Sequence, residues 1–293
     1  MAFLYHTFKL LANLVSRLPF PVLFFVAGIF NFFLHYIIRY RRDIILKNLR
    51  NAFPEKKPGE IRKILGQYYK NLSQIMFEVI KLHSIRPEKL LERFTFTGLE
   101  PLAETLRKGQ SVIITIGHCG NWEWMGTALG QVLPARGFAI VKPLSDKHFN
   151  RYMESLRHRI NPDSTIPFHR TYRTLIRHKQ EMVTFNVFAA DQTPVKEEAN
   201  YWTRFLNQDT PFYIGVEKLA KALHLAVFFI DIQRTGNGKY NGEIRQITRE
   251  PEKTAEKEIT EAYIRLLEEA IRRRPDNWLW SHRRWKLTRT PGN

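Results

Sequence analysis

The chain has one cysteine, Cys119, among its 293 residues. A disulfide framework is excluded, and so is any zinc site built on several thiolates. A single thiol is compatible with a reducing compartment. There is no Gly-x-Ser-x-Gly elbow, phosphate loop or dinucleotide fingerprint, which removes three common catalytic designs. Internal repeats and low-complexity segments are also missing. Acidic residues are scarce, 28 against 46 Lys and Arg, leaving a net charge of +18. That surplus suits an anionic partner: nucleic acid, a phospholipid surface, or an acidic protein or substrate. Residues 18–38 carry no charge at all.

What is present starts with that uncharged run, "LPFPVLFFVAGIFNFFLHYII". Pro19 and Pro21 suit a helix start. The 17 residues after Pro21 make a helix of about 26 Å, slightly short of a hydrocarbon core of roughly 30 Å. Asn31 and His35 weaken it further. Such a segment spans the bilayer or lies in one leaflet. Arg39, Arg41, Arg42, Lys47 and Arg50 follow it, against Lys9 and Arg17 before it. If the helix spans, the body of the protein is cytoplasmic. Residues 1–50 therefore read as a membrane anchor with a basic collar, and 51–293 as the second, larger domain.

Beyond a polar linker at 51–60, residues 59–83 place Ile61, Ile64, Leu65, Tyr68, Leu72, Ile75, Met76, Val79 and Ile80 at helical spacing. Core packing explains that stripe. Apolar runs then alternate with helical patterns: strands at 110–117, 138–143 and 225–233, a stretch at 182–194 that starts as a strand and ends in a loop, and helices from 124 to 133 and at 146–159, 211–224 and 252–274. Residues 242–250 alternate like an antiparallel edge. Continuous apolar strands between helices predict an α/β fold, a mostly parallel central sheet with helices on both faces. Functional groups in such sheets gather beyond the carboxyl ends of the strands. His118 and Asp191 each follow such an end.

His118 lies in "IITIGHCGNWEWMG", five positions before Glu123. On one helix, residues five apart diverge by about 140°, so the two side chains meet only if the chain turns between them. Gly120 and Asn121 supply that turn, one permissive and the other a good N-cap. A carboxylate on Nδ1 would fix the tautomer and leave Nε2 as a general base. Backbone N–H groups of the helix start would steady an oxyanion. The bland alternative is a dipole-favoured Glu123 beside a satisfied histidine. Cys119 is a rival nucleophile for a Cys-His hydrolase, but strand neighbours point to opposite faces, which favours a buried thiol.

The block "GHCGNWEW" resembles the His-Phe-Gly-Asn-Trp-Glu block of the bacterial lipid A late acyltransferases, within the lysophospholipid acyltransferase superfamily. Other blocks follow in the family's order: "VKPLSDKHFNRYMESLRHR", "AADQTP", "FLNQDTPFYIGVEKLAKA" and "WLWSHRRWK". The resemblance covers almost the whole chain. It implies a glycerol-3-phosphate acyltransferase-like fold, with His118 as base and Glu123 as its orienting carboxylate. It also implies Asn121, Lys142, Arg157, Asp191 and Gln192 as substrate-binding or site-shaping groups. Three positions depart from the pattern: Lys142 replaces a usual Arg, and Cys119 and Asn207 replace a usual Phe and Gly.

The same resemblance implies a membrane-bound O-acyltransferase of the bacterial inner membrane, working on the cytoplasmic face without metal or cofactor. Its donor would be acyl carrier protein, which is acidic, or acyl-CoA, which is phosphorylated. Its acceptor would be a lipid A precursor. A lysophospholipid or aminolipid acceptor with the same chemistry is the alternative. A nucleic-acid-binding membrane protein would need basic residues interleaved with aromatics; only "WLWSHRRWK" offers that, and no nucleic acid is expected as partner. On helix geometry alone, Arg157, three turns into its helix, would lie far from His118. The resemblance puts it close, which requires residues 146–159 to cross the mouth of the site.

Overall fold

The computed structural model describes residues 2–289; the outermost residues of the two predicted segments, 1 and 290–293, lie outside it. Four helices open the chain: α1 (Ala2–Arg17), α2 (Phe20–Phe32), α3 (Arg42–Ala52) and α4 (Pro58–Lys81), with a π-helical turn Phe33–Ile37 after α2. A short α5 (Pro87–Leu91) leads to β1 (Phe94–Thr97), α6 (Leu99–Arg107), β2 (Val112–Ile116), α7 (Trp122–Val132), β3 (Arg136–Val141), α8 (Lys147–Ile160), β4 (Thr165–Pro167), α9 (Thr171–Glu181) and β5 (Thr184–Ala189). The hairpin β6 (Tyr201–Phe205) and β7 (Gln208–Phe212), α10 (Gly215–Leu223), β8 (Ala226–Gly236), β9 (Lys239–Thr248) and α11 (Glu258–Arg273) complete it.

Seven strands form the main sheet in the order β1-β9-β8-β2-β5-β3-β4. β8, β2, β5, β3 and β4 run parallel, and β9 turns back antiparallel on β8 with β1 outside it. The expected α/β sheet is thus present, covered on both faces. Along β2, Val112, Ile114 and Ile116 pack with Leu106 of α6, Trp124 and Ala128 of α7 and Leu156 of α8. Ile113, on the opposite face, packs with Leu175 of α9 and Val216 and Leu219 of α10. This is the period-two alternation of a strand buried on both sides. The connection leaving β2 runs to β3, on one side. The chain leaving β5 runs to β8, on the other. The gap between β2 and β5 is therefore a topological switch point, where such sheets open a crevice.

Two differences from the sequence reading have local causes. Residues 242–250 pair antiparallel with β8 as expected, but β1 covers their start: its four residues pair with Tyr240–Glu243, and only beyond Glu243 is the outer side of β9 without a strand partner among the described residues. The helix expected at 211–224 begins only at Gly215; Pro211 and Phe212 end a β-hairpin. Its turn, Leu206–Asn207, has φ of 48° and 62° with no glycine to announce it.

α1 and α2 lie against α4 instead of standing free. Leu23 and Ala27 of α2 are fully buried, and Lys81 Nζ, at the end of α4, donates to the carbonyls of Ser16 (2.6 Å) and Leu18 (2.7 Å). Further along, α4 buries an ion pair. Glu78 accepts from Arg234 of β8 (3.1 Å), from the Tyr240 hydroxyl of β9 (2.5 Å) and from Asn121 Nδ2 (3.0 Å). Removing one partner of a buried pair strands the other's charge, at a cost of about 3–5 kcal/mol. Glu78→Ala should cost that much in unfolding free energy by denaturant titration. A double Glu78→Met/Arg234→Met variant should recover most of it. Equal losses in both variants would mean that the pair's charge is not what the fold depends on.

Candidate active site

The register of the sheet builds the centre. Ile116 of β2 pairs with Ala189 of β5. Two residues beyond each stand His118 and Asp191, so parallel pairing brings them side by side above the crevice. His118 Nδ1 lies 2.6 Å from Asp191 Oδ1, and the His118 backbone N–H donates to Asp191 Oδ2 at 2.9 Å. Trp278, from the carboxyl-terminal segment, donates its indole N–H to the same oxygen at 2.7 Å. The imidazole packs edge-on against Trp122, 5.0 Å between ring centres.

The turn that follows is held from below. Gly120 has φ +54°, and a Cβ there would meet Ile232 Cγ2 at 2.9 Å, so only glycine suits it. Its N–H donates to the Asn277 carbonyl (3.0 Å). Asn121 caps α7, its Oδ1 accepting from Trp124 N–H at 2.9 Å, while its Nδ2 is tied to Glu78. Glu123 then sits in the first helical turn.

Burial works against charge on His118, but the Asp191 carboxylate and its hydrogen bond outweigh that, with Glu123 adding to them; the imidazole pKa is raised above its ordinary value. Burial likewise opposes ionisation of Asp191, and the His118 charge, the His118 donors and Trp278 overcome it, taking the carboxyl to about 2. The acceptor is thus anionic across physiological pH. With Nδ1 donating to it, Nε2 carries the lone pair. Gln192 Nε2 stands 3.3 Å from that atom.

Asp191, not Glu123, therefore occupies His118 Nδ1, which corrects the expected pairing. Glu123 receives a forked ion pair instead, Arg157 Nε to Oε2 at 2.8 Å and Nη2 to Oε1 at 2.6 Å. The Glu123 side chain is 9% exposed and that of Arg157 22%. Helix α8 brings Arg157 there by running parallel to α7 with an offset. Arg157 meets Glu123, and Asn161 Nδ2 donates to the Thr127 carbonyl (3.1 Å), so four residues along one helix match four along the other. The first ten residues of α8 consequently project beyond the start of α7. That offset reconciles an arginine three turns into its helix with a place at the site.

The other basic residues of α8 are dispersed. Arg159 bonds the Leu82 and Ile85 carbonyls and His158 the Thr165 hydroxyl, leaving Arg151 exposed. Asn121 is fully buried with both polar atoms used, so it shapes the turn and offers nothing to a substrate. Lys142 is exposed just past β3. Cys119 is buried and burial raises its thiol pKa well above normal, so it is a poor nucleophile. Sequence reasoning missed Trp278, Glu78 and His282. The signal for Glu78 was a carboxylate inside an apolar helical stripe. His282 Nε2 accepts from Thr193 N–H at 3.3 Å, and its pKa falls to about 4, chiefly through burial.

The chain belongs to the bacterial lipid A biosynthesis acyltransferase family, whose model it matches over residues 2–287, and it is accordingly an acyltransferase. It is similar to the lipid A biosynthesis palmitoleoyltransferase of Escherichia coli (strain K12), 24% identical over 276 residues, covering 92% of this chain and 87% of the relative. A lipid A biosynthesis acyltransferase of Shigella flexneri is similar to the same extent, with the same coverage of each chain.

If His118 acts as a base, its proton must be off Nε2, so kcat/KM should rise with pH through a midpoint above the ordinary value of roughly 6.5. Asp191→Asn removes the charge that raises that midpoint. The acid limb should move to lower pH, and the plateau should drop by roughly 10²–10⁴-fold. An acid limb unmoved in Asp191→Asn would assign the titration to another group.

Proposed function

We propose that the enzyme moves a fatty acyl chain from a thioester, on acyl carrier protein or CoA, to a hydroxyl of a lipid A precursor. The observation that carries this reading is the His118–Asp191 pair at the sheet's switch point. His118 Nε2 takes the acceptor's hydroxyl proton as the oxygen attacks the thioester carbonyl. The tetrahedral intermediate collapses, the C–S bond breaks, and the imidazolium returns the proton to the departing thiolate. The N–H groups of Trp122 and Glu123 lie in the first turn of α7, outside its internal hydrogen-bond ladder. They and the helix dipole steady the oxyanion.

In this mechanism the motif glutamate acts with Arg157. Their forked pair keeps a carboxylate near the imidazolium and closes the side of the site formed by α8. The alternative acceptor, a lysophospholipid or aminolipid, leans on the three departures from the family pattern, and two of these have structural explanations. Cys119 pairs backbone to backbone with Trp278, and Asn207 satisfies a hairpin turn at φ 62° while donating to the Ala52 carbonyl. Lys142 alone is an exposed change on the strand end leading to α8. Lipid analysis of a deletion strain names the acceptor: accumulation of an under-acylated lipid A precursor supports the reading, and unchanged lipid A with altered lysophospholipid overturns it.

The setting we infer is the cytoplasmic leaflet of the inner membrane, with the protein lying in the interface. α2 and the turn after it are apolar enough to cross a bilayer by composition, but α2 is docked lengthwise on α4, whose outer face carries Arg62, Lys63 and Lys70. Crossing would drag those charges into hydrocarbon. Lying flat instead immerses the exposed ridge of Leu10, Leu14, Phe25, Ile29, Phe32 and Ile37.

Two further outcomes test this. Glu123→Gln and Arg157→Met should each lower kcat/KM by roughly ten- to a hundredfold, the worth of a charge-assisted bond of about 1.5–3 kcal/mol. The double variant should lose little more than either single, and fully additive losses would show that the two act separately. Phe25→Asp/Ile29→Asp on the outer face of α2 should release the folded protein from liposomes in flotation. Retention at wild-type levels would place attachment elsewhere.

A further inference from the structure

Two adjoining cavities open between α3, α4 and the π-helical turn. One, of about 400 Å³, is lined by His35, Tyr36, Arg39, Arg42, Arg62 and Leu65. The other, of about 340 Å³, shares Arg42 and Arg62 and adds Arg50 and Lys56 over an apolar floor. Neither is lined by His118, Glu123, Arg157 or Asp191. We propose that this groove is a binding site for the phosphate of an anionic glycerophospholipid headgroup, separate from the acyl-transfer centre.

Helix geometry gathers the charges. Arg42, Leu46 and Arg50 fall at i, i+4 and i+8 on one face of α3, with Ile61, Arg62 and Leu65 facing them from α4. Among the described residues, Arg39, Arg42, Arg50 and Arg62 have no carboxylate within 4.0 Å, whereas Lys56 meets Glu60 only at that limit. Four unneutralised guanidinium groups repel one another, and a phosphate offsets that repulsion while matching their forked donors. The groove is also held in shape. His35 stacks between Tyr36 (4.3 Å) and Tyr69 (4.4 Å), Tyr69 Oη donates to the Tyr40 carbonyl (2.7 Å), and Arg41 is bonded to the Ser281 carbonyl (3.0 Å). π-Helical turns of this kind recur at functional sites.

Position selects a lipid over a free phosphate. Tyr36 lines the groove and is itself exposed, next to exposed Ile37 and Ile38 at the end of the apolar ridge. A headgroup in the groove leaves its acyl chains along that ridge. The proposal rests on the interfacial reading for its choice of lipid, but the binding it describes needs no bilayer.

The test uses the full chain in a nonionic detergent, titrated calorimetrically with dihexanoyl phosphatidylglycerol, dihexanoyl phosphatidylcholine and glycerol 3-phosphate. Phosphatidylglycerol should bind saturably at one per chain, the other two at least about tenfold more weakly. Arg42→Gln/Arg62→Gln should weaken phosphatidylglycerol by roughly thirtyfold, from the usual contribution of each basic residue at an anionic surface. A control pair, Arg173→Gln/Lys179→Gln on α9, removes equal charge and should bind as the parent does. A second variant, Arg39→Gln/Arg50→Gln, should also bind more weakly, which guards against a folding defect in the first. Equal binding of the phosphatidylcholine, or parental binding by Arg42→Gln/Arg62→Gln, overturns the site. Glycerol 3-phosphate binding as tightly as the lipid overturns the assignment to a lipid. Failure of the membrane reading would appear separately, in flotation of the α2 variant.

Discussion

A buried carboxylate deprived of water must be given donors, and the active-site end of this fold is arranged around that need at Asp191. Its two oxygens take a ring N–H and a backbone N–H from His118 and an indole N–H from Trp278. Those donors come from the end of β2 and from the carboxyl-terminal segment, while Asp191 follows β5. One anion therefore fastens three distant parts of the chain. The side chain of Asp191 is 2% exposed, so any one donor lost leaves charge unsolvated. The histidine's orientation, the twist of the turn and the seating of Trp278 are consequences of the same requirement.

A second buried anion works from the opposite side of the same turn. Glu78 holds Asn121, and Asn121 holds the start of α7. The turn 117–121 is thus suspended between two carboxylates on different elements, one beyond β5 and one on α4. Neither needs to touch substrate to matter. Asp191 sets which nitrogen of His118 is basic; Glu78 sets where α7 begins, and so where Glu123 and the first-turn N–H groups point. Helix α4 supports α1 and α2, which carry the exposed apolar ridge, and also holds Glu78, so the proposed membrane-facing surface and the site geometry share one rigid element.

Much of this was legible in the sequence. Apolar runs between amphipathic helices gave the parallel sheet, and the position of His118 and Asp191 just past two such runs marked both ends of the dyad. The pairing was not legible, because it depends on strand order. Only when β2 and β5 are known to be neighbours, with Ile116 opposite Ala189, does Asp191 become closer to His118 than Glu123 is. Sequence proximity favoured the wrong carboxylate. The hairpin at 201–212 was hidden because its turn uses Leu206 and Asn207 in left-handed conformations, and β1 and α6 fell in a stretch whose patterns are short. Glu78 was masked by the company it keeps: nine apolar neighbours make a core stripe, and the acid inside it reads as surface unless its partner on β8 is known.

The offset of α8 joins chemistry to setting. Because its last turn is level with the first turn of α7, its opening turns rise past the site and meet α1: Phe8 lies edge-on to Tyr152 at 5.1 Å and near Phe149 at 6.4 Å. Phe149 and Leu144 are exposed there, as are Phe8, Leu10 and Leu11 on α1. The apolar ridge therefore continues from α2 through α1 onto the helix that delivers Arg157. On the proposed interfacial placement, with that ridge in one leaflet, the crevice above β2 and β5 would open beside the bilayer, with α8 as the wall between them. In the proposed reaction an acceptor hydroxyl near the headgroup plane would then reach His118 by passing along α8, its acyl chains staying in hydrocarbon. Arg157 and Glu123 stand where the apolar surface gives way to the polar site. A forked ion pair suits that boundary, since it presents a neutral, closed face on the side where the proposal puts lipid and still keeps a carboxylate close enough to help raise the His118 pKa.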